Sequence, residues 1–299
     1  MTSSETVSFV VVTMNRCEEL QRCLQSIVAQ NGEKSEIIVV NNGDAKSVCA
    51  LLAAHFPDVM LLQQVHNTGA AGGKNIGLKA AKGDYIICLD DDTAFTHHDV
   101  ITKVGDYFAH HSSVGALSFN ILDTATQATA ARYIPRRDKC IPTGDALTGY
   151  FLGGGCAFRR AMLDKTGYYW EILNPYGAEE FDLSYRILDA GYDILWTQEI
   201  AITHVASNSG RSEQRHVYAL ARNHPLVALK NLPWLQVLSN YILWWGYAGL
   251  HALKSGKFST WFAGVAASLQ AIPSTLKLRK KISKAALRKL RQRNGPYWY

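Results

Sequence analysis

The chain has 299 residues, 47% apolar and 19% charged, which supplies a sizeable core and excludes a disordered polypeptide. Its 23 glycines and 8 prolines follow no period, which excludes collagen-like and repeat architectures. Its six cysteines (Cys17, Cys23, Cys49, Cys88, Cys140, Cys156) form neither a C-x-x-C pair nor a cluster, the pattern of reduced thiols.

In chain order, the start Met1-Thr2-Ser3-Ser4-Glu5 has neither the basic region nor the apolar stretch of a secretory leader, so export is not expected. Residues 7–12 are a continuous β-branched apolar run, which predicts a strand buried on both faces. Residues 16–30 switch to helical spacing, with Leu20, Leu24, Ile27 and Val28 on one face. Residues 37–40 predict a second buried strand, ended by the turn residues Asn41-Asn42-Gly43-Asp44. A helix over 46–55, a strand over 59–65, a helix over 75–81 and a strand over 85–89 follow. This alternation implies an α/β fold with a mostly parallel sheet, whose ligands sit beyond the carboxyl ends of its strands.

The candidate chemistry gathers at those ends. Asp90-Asp91-Asp92 follows the fourth strand directly, and three adjacent carboxylates need water or a counter-charge. A hard divalent cation, Mg²⁺ or Mn²⁺, is the natural one and brings substrate phosphates with it; a solvated acidic turn capping a helix near Thr96 is the plain alternative. Residues 67–77 (Asn-Thr-Gly-Ala-Ala-Gly-Gly-Lys-Asn-Ile-Gly) read as a glycine-rich loop entering a helix, where backbone N–H groups and Lys74 can meet an anion. The spacing is not that of a phosphate-binding P-loop, and no Gly-x-Gly-x-x-Gly follows the first strand, which disfavours a dinucleotide dehydrogenase.

Residues 149–160 read as a glycine-rich strand and turn under an acceptor pocket, or simply as a tight turn. Tyr168, Tyr169, Trp170 and Tyr176 suit either stacking on an acceptor or core packing. Residues 177–182, Gly-Ala-Glu-Glu-Phe-Asp, begin a helix with Leu183, Ile187 and Leu188 as its apolar stripe. The acids there favour the helix dipole, or one of them is a general base. His204 follows a strand at 200–202, as a metal ligand, a phosphate contact or a half-buried structural residue.

Taken together and in this order, these motifs resemble family 2 glycosyltransferases of the GT-A fold over roughly residues 5–225. The matching segments are Val10–Arg16, Val39–Asp44, Asn67–Gly77, Gly83–Asp92, Gly153–Arg159, Glu179–Asp182 through Tyr192, and His204. Arg222-Asn223 is similar to bacterial, rhamnosyltransferase-like members that build cell-surface glycans. The resemblance implies an α/β GT-A fold: a Rossmann-like, mostly parallel sheet flanked by helices, at residues 1–225. It implies that Thr13, Asn15, Arg16, Asn41, Lys74 and Asp91 border the nucleotide-diphosphate donor, a UDP- or dTDP-sugar, while Asp90 faces the ribose. Asp92 would bind Mg²⁺ or Mn²⁺, His204 would complete the metal or diphosphate site, and Glu180 would be the base, with Glu179 as its competitor. Two departures stand out. Asn41 replaces a common Asp, and Glu180 replaces the Asp of a Glu-Asp pair, lengthening the base by one methylene.

The net charge of +6 hides a split, because no Asp or Glu follows residue 213. Of the 31 basic residues 14 lie beyond it, leaving 17 against all 25 acidic ones. Residues 231–253 are uncharged and hold Trp234, Tyr241, Trp244, Trp245 and Tyr247; residues 258–276 are uncharged too. Their aromatic density favours an in-plane or re-entrant helical pair at a membrane surface over a span or a soluble packing surface. Residues 277–293 predict a basic amphipathic helix that attracts anionic lipid, with Lys280, Lys284, Arg288 and Arg291 on one face and Lys281 beside them. No nucleic-acid module accompanies it, so nucleic acid is not an expected partner.

The reading is therefore an inverting, metal-dependent glycosyltransferase of residues 1–225 with a membrane-associating helical region at 226–299. It would act on a lipid-linked or cell-surface glycan at the cytoplasmic face of the plasma membrane, with self-association left open. A sugar-nucleotidyltransferase and a non-catalytic nucleotide-sugar-binding protein are the other classes.

Overall fold

The computed structural model describes residues 5–31, 35–174, 176–205, 212–293 and 295; the expectation drawn from the first residues of the sequence falls mostly on residues 1–4, outside them. The β-branched run becomes strand β1 (Val7–Thr13), buried at every position but Val12. Its side chains alternate between two cores. Val10 joins Ile38, Val40, Ile86 and Cys88 on one side of the sheet, while Phe9 and Val11 join Val39, Ile87 and Leu89 on the other. A strand covered on both faces can be apolar throughout, so the pattern reads as a run and not as an alternation.

Strands β2 (Glu36–Asn41), β3 (Met60–Gln63) and β4 (Tyr85–Asp90) lie parallel to β1 in the order β3-β2-β1-β4. Beyond β4 the sheet continues through strand β8 (Gly155–Arg159), strand β6 (Val114–Leu122), strand β9 (Asp193–His204) and strand β5 (Thr93–Phe95). Strand β7 (Ala146–Thr148) pairs with the first half of β9. β8 is antiparallel to both neighbours, and β5 and β7 are antiparallel to β9; the other pairs are parallel.

Helices α1 (Cys17–Val28), α2 (Ala45–His55) and α4 (Val100–His110) cover one face through Leu20, Leu24, Val48, Leu52, Val104 and Phe108. Helices α3 (Gly69–Ala80), α5 (Arg160–Thr166) and α6 (Glu179–Asp189) cover the other through Leu78, Met162, Leu183 and Ile187. The architecture is the expected α/β one: a mostly parallel sheet with helices on both faces.

Three local expectations are corrected. The third strand is shorter than residues 59–65, because β3 is an edge strand that pairs with β2 only over Met60–Gln63, and Val65 is fully exposed. The helix expected near Thr96 begins at Val100, because residues 93–95 are used first as β5 against β9. The glycine-rich segment is not a loop leading to a helix at residue 75. It is helix α3 from Gly69 onward, and the glycines are there for packing: a Cβ at Gly77 would lie 2.3 Å from Val10 Cγ1, and one at Gly73 2.7 Å from Val12 Cγ1. These two positions, one turn apart, let the helix backbone lie directly on β1.

The last described residues form four helices: α7 (Glu213–Asn231), α8 (Trp234–Ser255), α9 (Phe258–Lys277) and α10 (Lys284–Gln292). Helix α7 runs unbroken through residue 225, with α8 and α9 packed on it. Helix α10 places Ala286 and Leu290, with Ile282 just before it, in the core against α6. No helix among the described residues is long and apolar enough to cross a membrane.

Candidate active site

A cavity of about 520 Å³ opens at the carboxyl ends of β1 and β4. Thr13, Met14 and Arg16 come from the end of β1, Asp90 from the end of β4, and Gly69, Ala70 and Lys74 from the first turns of α3. Glu179 and Glu180 enter from the start of α6. Parallel strands all deliver their last residues to one edge, which is why segments far apart in sequence meet here.

Lys74 is the pivot. It is buried, its Nζ lies 3.1 Å from Asp90 Oδ1, and it donates to the Gly153 carbonyl at 2.8 Å. Burial alone would drive this ammonium toward neutrality, but the Asp90 and Glu180 carboxylates outweigh it and hold the lysine charged, above its ordinary range. Gly153 fits between the two groups without a side chain: a Cβ there would lie 2.2 Å from Glu180 Oε1 and 2.8 Å from Lys74 Nζ.

The three aspartates are each answered by a different group of the protein itself. Lys74 answers Asp90. Arg16 holds Asp91 as a two-point ion pair and reaches Asp92 Oδ2 at 2.9 Å. His204 Nε2 stands 3.3 Å from Asp92 Oδ1, and the Tyr133 hydroxyl lies 3.1 Å from His204 Nδ1. Burial pushes the Asp91 carboxyl up to about 7 even with Arg16 against it. The side chains of Asp91, Asp92 and His204 are almost fully buried, and they lie behind Arg16, off the cavity wall.

Glu179 and Glu180 differ in setting although they are neighbours. Glu179 is buried, and burial, reinforced by Glu180, pushes its carboxyl up to about 8. Glu180 is half-buried and sits beside the charged Lys74. Both are delivered by left-handed backbone at Gly177 (φ 98°) and Ala178 (φ 71°). Asn223 of α7 pins that turn, donating from Nδ2 to the carbonyls of Tyr176 at 3.0 Å and Gly177 at 3.2 Å. A non-glycine residue held at positive φ marks backbone that its surroundings over-determine.

Of the residues expected to border a donor, Thr13, Arg16, Lys74 and Asp90 line the cavity, and Asn15, Asn41 and Asp91 do not. Asn41 is buried and spends its amide on the turn that follows it, donating to Asp44 O and Gln63 Oε1 at 2.8 Å each and accepting from Gly43 N at 2.9 Å. Asn15, at φ 57°, accepts from Asp44 N. Asn42 is the turn residue that reaches the cavity. It accepts from Thr68 and donates to the Gly69 carbonyl, tying the end of β2 to the start of α3.

Of the aromatic residues before α6 only Tyr176 reaches the cavity, while Tyr169 is core, packed edge-on against Phe151 and Phe158. The far wall was not legible in the sequence. It is α7, through Arg215, His216, Leu220 and His224, none of which carries a signal in the sequence; the Arg222-Asn223 motif of the same helix does not line the cavity.

The model of the family described as "Glycosyl transferase family 2" matches residues 8–167, more than half of the chain. The chain belongs to this family. A relative from Haemophilus influenzae, described as an uncharacterized protein, is 31% identical over 168 residues, 54% of this chain and 91% of its own. The poly-beta-1,6-N-acetyl-D-glucosamine synthase of Staphylococcus aureus is 30% identical over 203 residues, 64% of this chain, which spans about half of the synthase (47%).

Two solved structures share the fold across 98% of this chain. The mannosyltransferase PcManGT of Pyrobaculum calidifontis, in complex with GDP-Man and Mn²⁺, has a TM-score of 0.60 at 18% identity and is covered over 88% of its length. S. aureus TarS 1–349 in complex with UDP-GlcNAc has a TM-score of 0.63 at 15% identity and is covered over 89%. The protein is a family 2 glycosyltransferase of GT-A fold.

Proposed function

We propose that this family 2 glycosyltransferase moves a sugar from a nucleoside-diphosphate donor, a UDP- or dTDP-sugar, to a hydroxyl of a lipid-linked or cell-surface glycan, with inversion. The observation that carries this reading is the cavity wall shared by Asp90, Lys74 and Glu180, which sets a buried, charged lysine beside a carboxylate. In this reading Asp90, at the end of β4, binds the ribose, and Lys74 and Arg16 bind the diphosphate. Glu180 takes the proton of the acceptor hydroxyl as that oxygen attacks the anomeric carbon, and the nucleoside diphosphate leaves from the opposite face. Glu179 fits the base less well, because it is buried and its carboxyl is pushed upward, which favours the protonated form that cannot take up a proton.

The residues around Asp92 suit a divalent ion, Mg²⁺ or Mn²⁺. Among the described residues no three His, Cys, Asp or Glu side chains converge on one metal point. Asp92 and His204 nonetheless supply a carboxylate and an imidazole 3.3 Å apart, with the second ring nitrogen fixed by Tyr133. Two protein donors plus phosphate oxygens is how such ions are commonly held. Bound there, the ion would stabilise negative charge on the departing diphosphate. Arg16 shares Asp92 and would have to give way to it.

The test is nucleoside-diphosphate release by the full chain with Mn²⁺ and a panel of UDP-, dTDP- and GDP-sugars. Glu180→Gln should lower kcat by about 10²–10⁴-fold, the usual worth of a general base. Its donor affinity should stay within about threefold, and Glu179→Gln should keep most of the activity. A Glu180→Gln enzyme with full activity sinks the assignment of the base. Pyrophosphate as product would mean a nucleotidyltransferase, and binding without turnover a non-catalytic protein.

A further inference from the structure

Helices α8 and α9 form a hairpin closed at Gly256, whose left-handed φ of 67° ends α8. Its polarity is reversed. Every exposed position of α8 from Trp234 to Leu253 is apolar, with Leu235 74%, Ile242 64%, Leu250 64% and Leu253 63% exposed. Helix α9 continues this surface with Phe258, Phe262, Leu269 and Leu276. Asn240, Ser268 and Thr275 point inward and are fully buried, while the few exposed uncharged polar side chains, Ser259, Gln270 and Ser274, all lie on α9. A helix in water carries the opposite arrangement, so the outer surroundings of this hairpin are apolar.

The inner side is fastened along α7. Trp245 Nε1 donates to the Ala221 carbonyl at 3.0 Å, Trp261 Nε1 donates to the Trp245 carbonyl at 2.9 Å, and the ring of Trp244 stacks on His224 at 3.6 Å. A hairpin held along its length on one side has only one free face, and that face can lie along an interface but not through it.

Charge selects the occupant. Lys254 and Lys257 lie at the hairpin tip, Lys277, Lys280 and Lys281 at its other end, and no acidic residue follows residue 213. Arg279 sits over the Trp234 ring at 4.1 Å, which joins the second basic end to the start of α8. Two copies packed on this face would set basic ends against basic ends. Anionic headgroups around an apolar layer match both the ridge and its flanks. We propose that the outer face of α8 and α9 docks in the plane of an anionic lipid surface. This face stands independently of the glycosyl-transfer reading. One consequence rests on that reading: His224 lines the cavity and touches Trp244 of the docked hairpin, so a lipid-linked acceptor would reach the cavity past α7.

The test is flotation of the full chain with vesicles of phosphatidylcholine alone or with added phosphatidylglycerol. Wild-type protein should float with the anionic vesicles. Leu238→Glu/Leu250→Glu, at exposed positions that cost the fold little, should partition at least tenfold less. Lys280→Glu/Lys281→Glu should lose the preference for anionic over neutral vesicles. Wild-type protein left at the bottom, or a Leu238→Glu/Leu250→Glu protein that floats normally, overturns the proposal. So does concentration-dependent dimerisation that the leucine variant abolishes without any flotation, which would assign the face to a second copy. Nucleoside-diphosphate release measured in parallel in detergent reports on the catalytic reading separately.

Discussion

Arg16 faces two carboxylates at once, Asp91 and Asp92, with its own side chain 18% exposed and theirs buried. Removing one partner of a buried ion pair strands the other charge, at a cost of about 3–5 kcal/mol. Arg16→Gln should therefore melt well below wild type in metal-free buffer. A cation can take the place of the guanidinium, so Mn²⁺ should raise the melting temperature of this variant more than that of wild type. A thermal melt with and without Mn²⁺ checks it, and equal shifts in the two proteins would mean that the ion does not use Asp92. The need for a counter-charge beside Asp90-Asp91-Asp92 was legible in the sequence. That Arg16, Lys74 and His204 meet it was not, because they lie 74, 16 and 112 positions away along the chain and only the sheet brings them together.

At the scale of elements, α3 shows how one composition serves two purposes. Gly-rich sequence before a lysine suggests an anion-binding loop, yet Gly73 and Gly77 are helical and their missing side chains let α3 touch Val12 and Val10. The close approach puts Lys74 within reach of Asp90. Gly77→Ala should force α3 off β1, costing about 1–3 kcal/mol as overpacked core substitutions do, and should weaken donor binding by moving Lys74. Gly246→Ala is the control: a Cβ there meets nothing within 4 Å, and the position is helical, so it should be neutral or slightly stabilising. Denaturant melts and nucleotide titration of both variants decide the matter, and an unperturbed Gly77→Ala would refute the packing argument. The strands β1, β2 and β4 were readable because burial on both faces leaves an unbroken apolar run. Edge strand β3 and the short β5 and β7 were not, since partial pairing imposes little pattern.

Across the whole molecule, the four C-terminal helices and the sheet domain share a core and a set of ion pairs. Asp182 of α6 is fully buried, and Arg186 at 2.8 Å and Lys230 of α7 hold its carboxyl below the ordinary range against the push of burial. Asp193 of β9 receives Lys289 and Arg293, each at 2.7 Å, so part of the basic C-terminal charge is spent on the body of the protein. Leu232, Val237, Ile282, Ala286 and Leu290 are buried in the same core as Leu183 and Ile187. Deleting residues 231–299 should accordingly yield protein that is insoluble or melts many degrees lower, since each buried leucine or isoleucine is worth about 1.5–3 kcal/mol. A truncated chain with a wild-type melting temperature would show instead that the helices are a separable appendage.

The sequence by itself determined the alternating α/β order, the acidic turn at the end of β4, the glutamate pair opening α6 and the change in charge after residue 213. Each is a local pattern, written by burial on both faces, by like charges in a row or by composition. The tertiary structure alone decided that Asn42 and not Asn41 reaches the cavity, that Arg16 stands in front of Asp92, that α7 forms the far wall, and that α8 and α9 turn their apolar side outward. Those outcomes depend on which distant segments the sheet and the helix packing bring together, and no stretch of neighbouring residues records that.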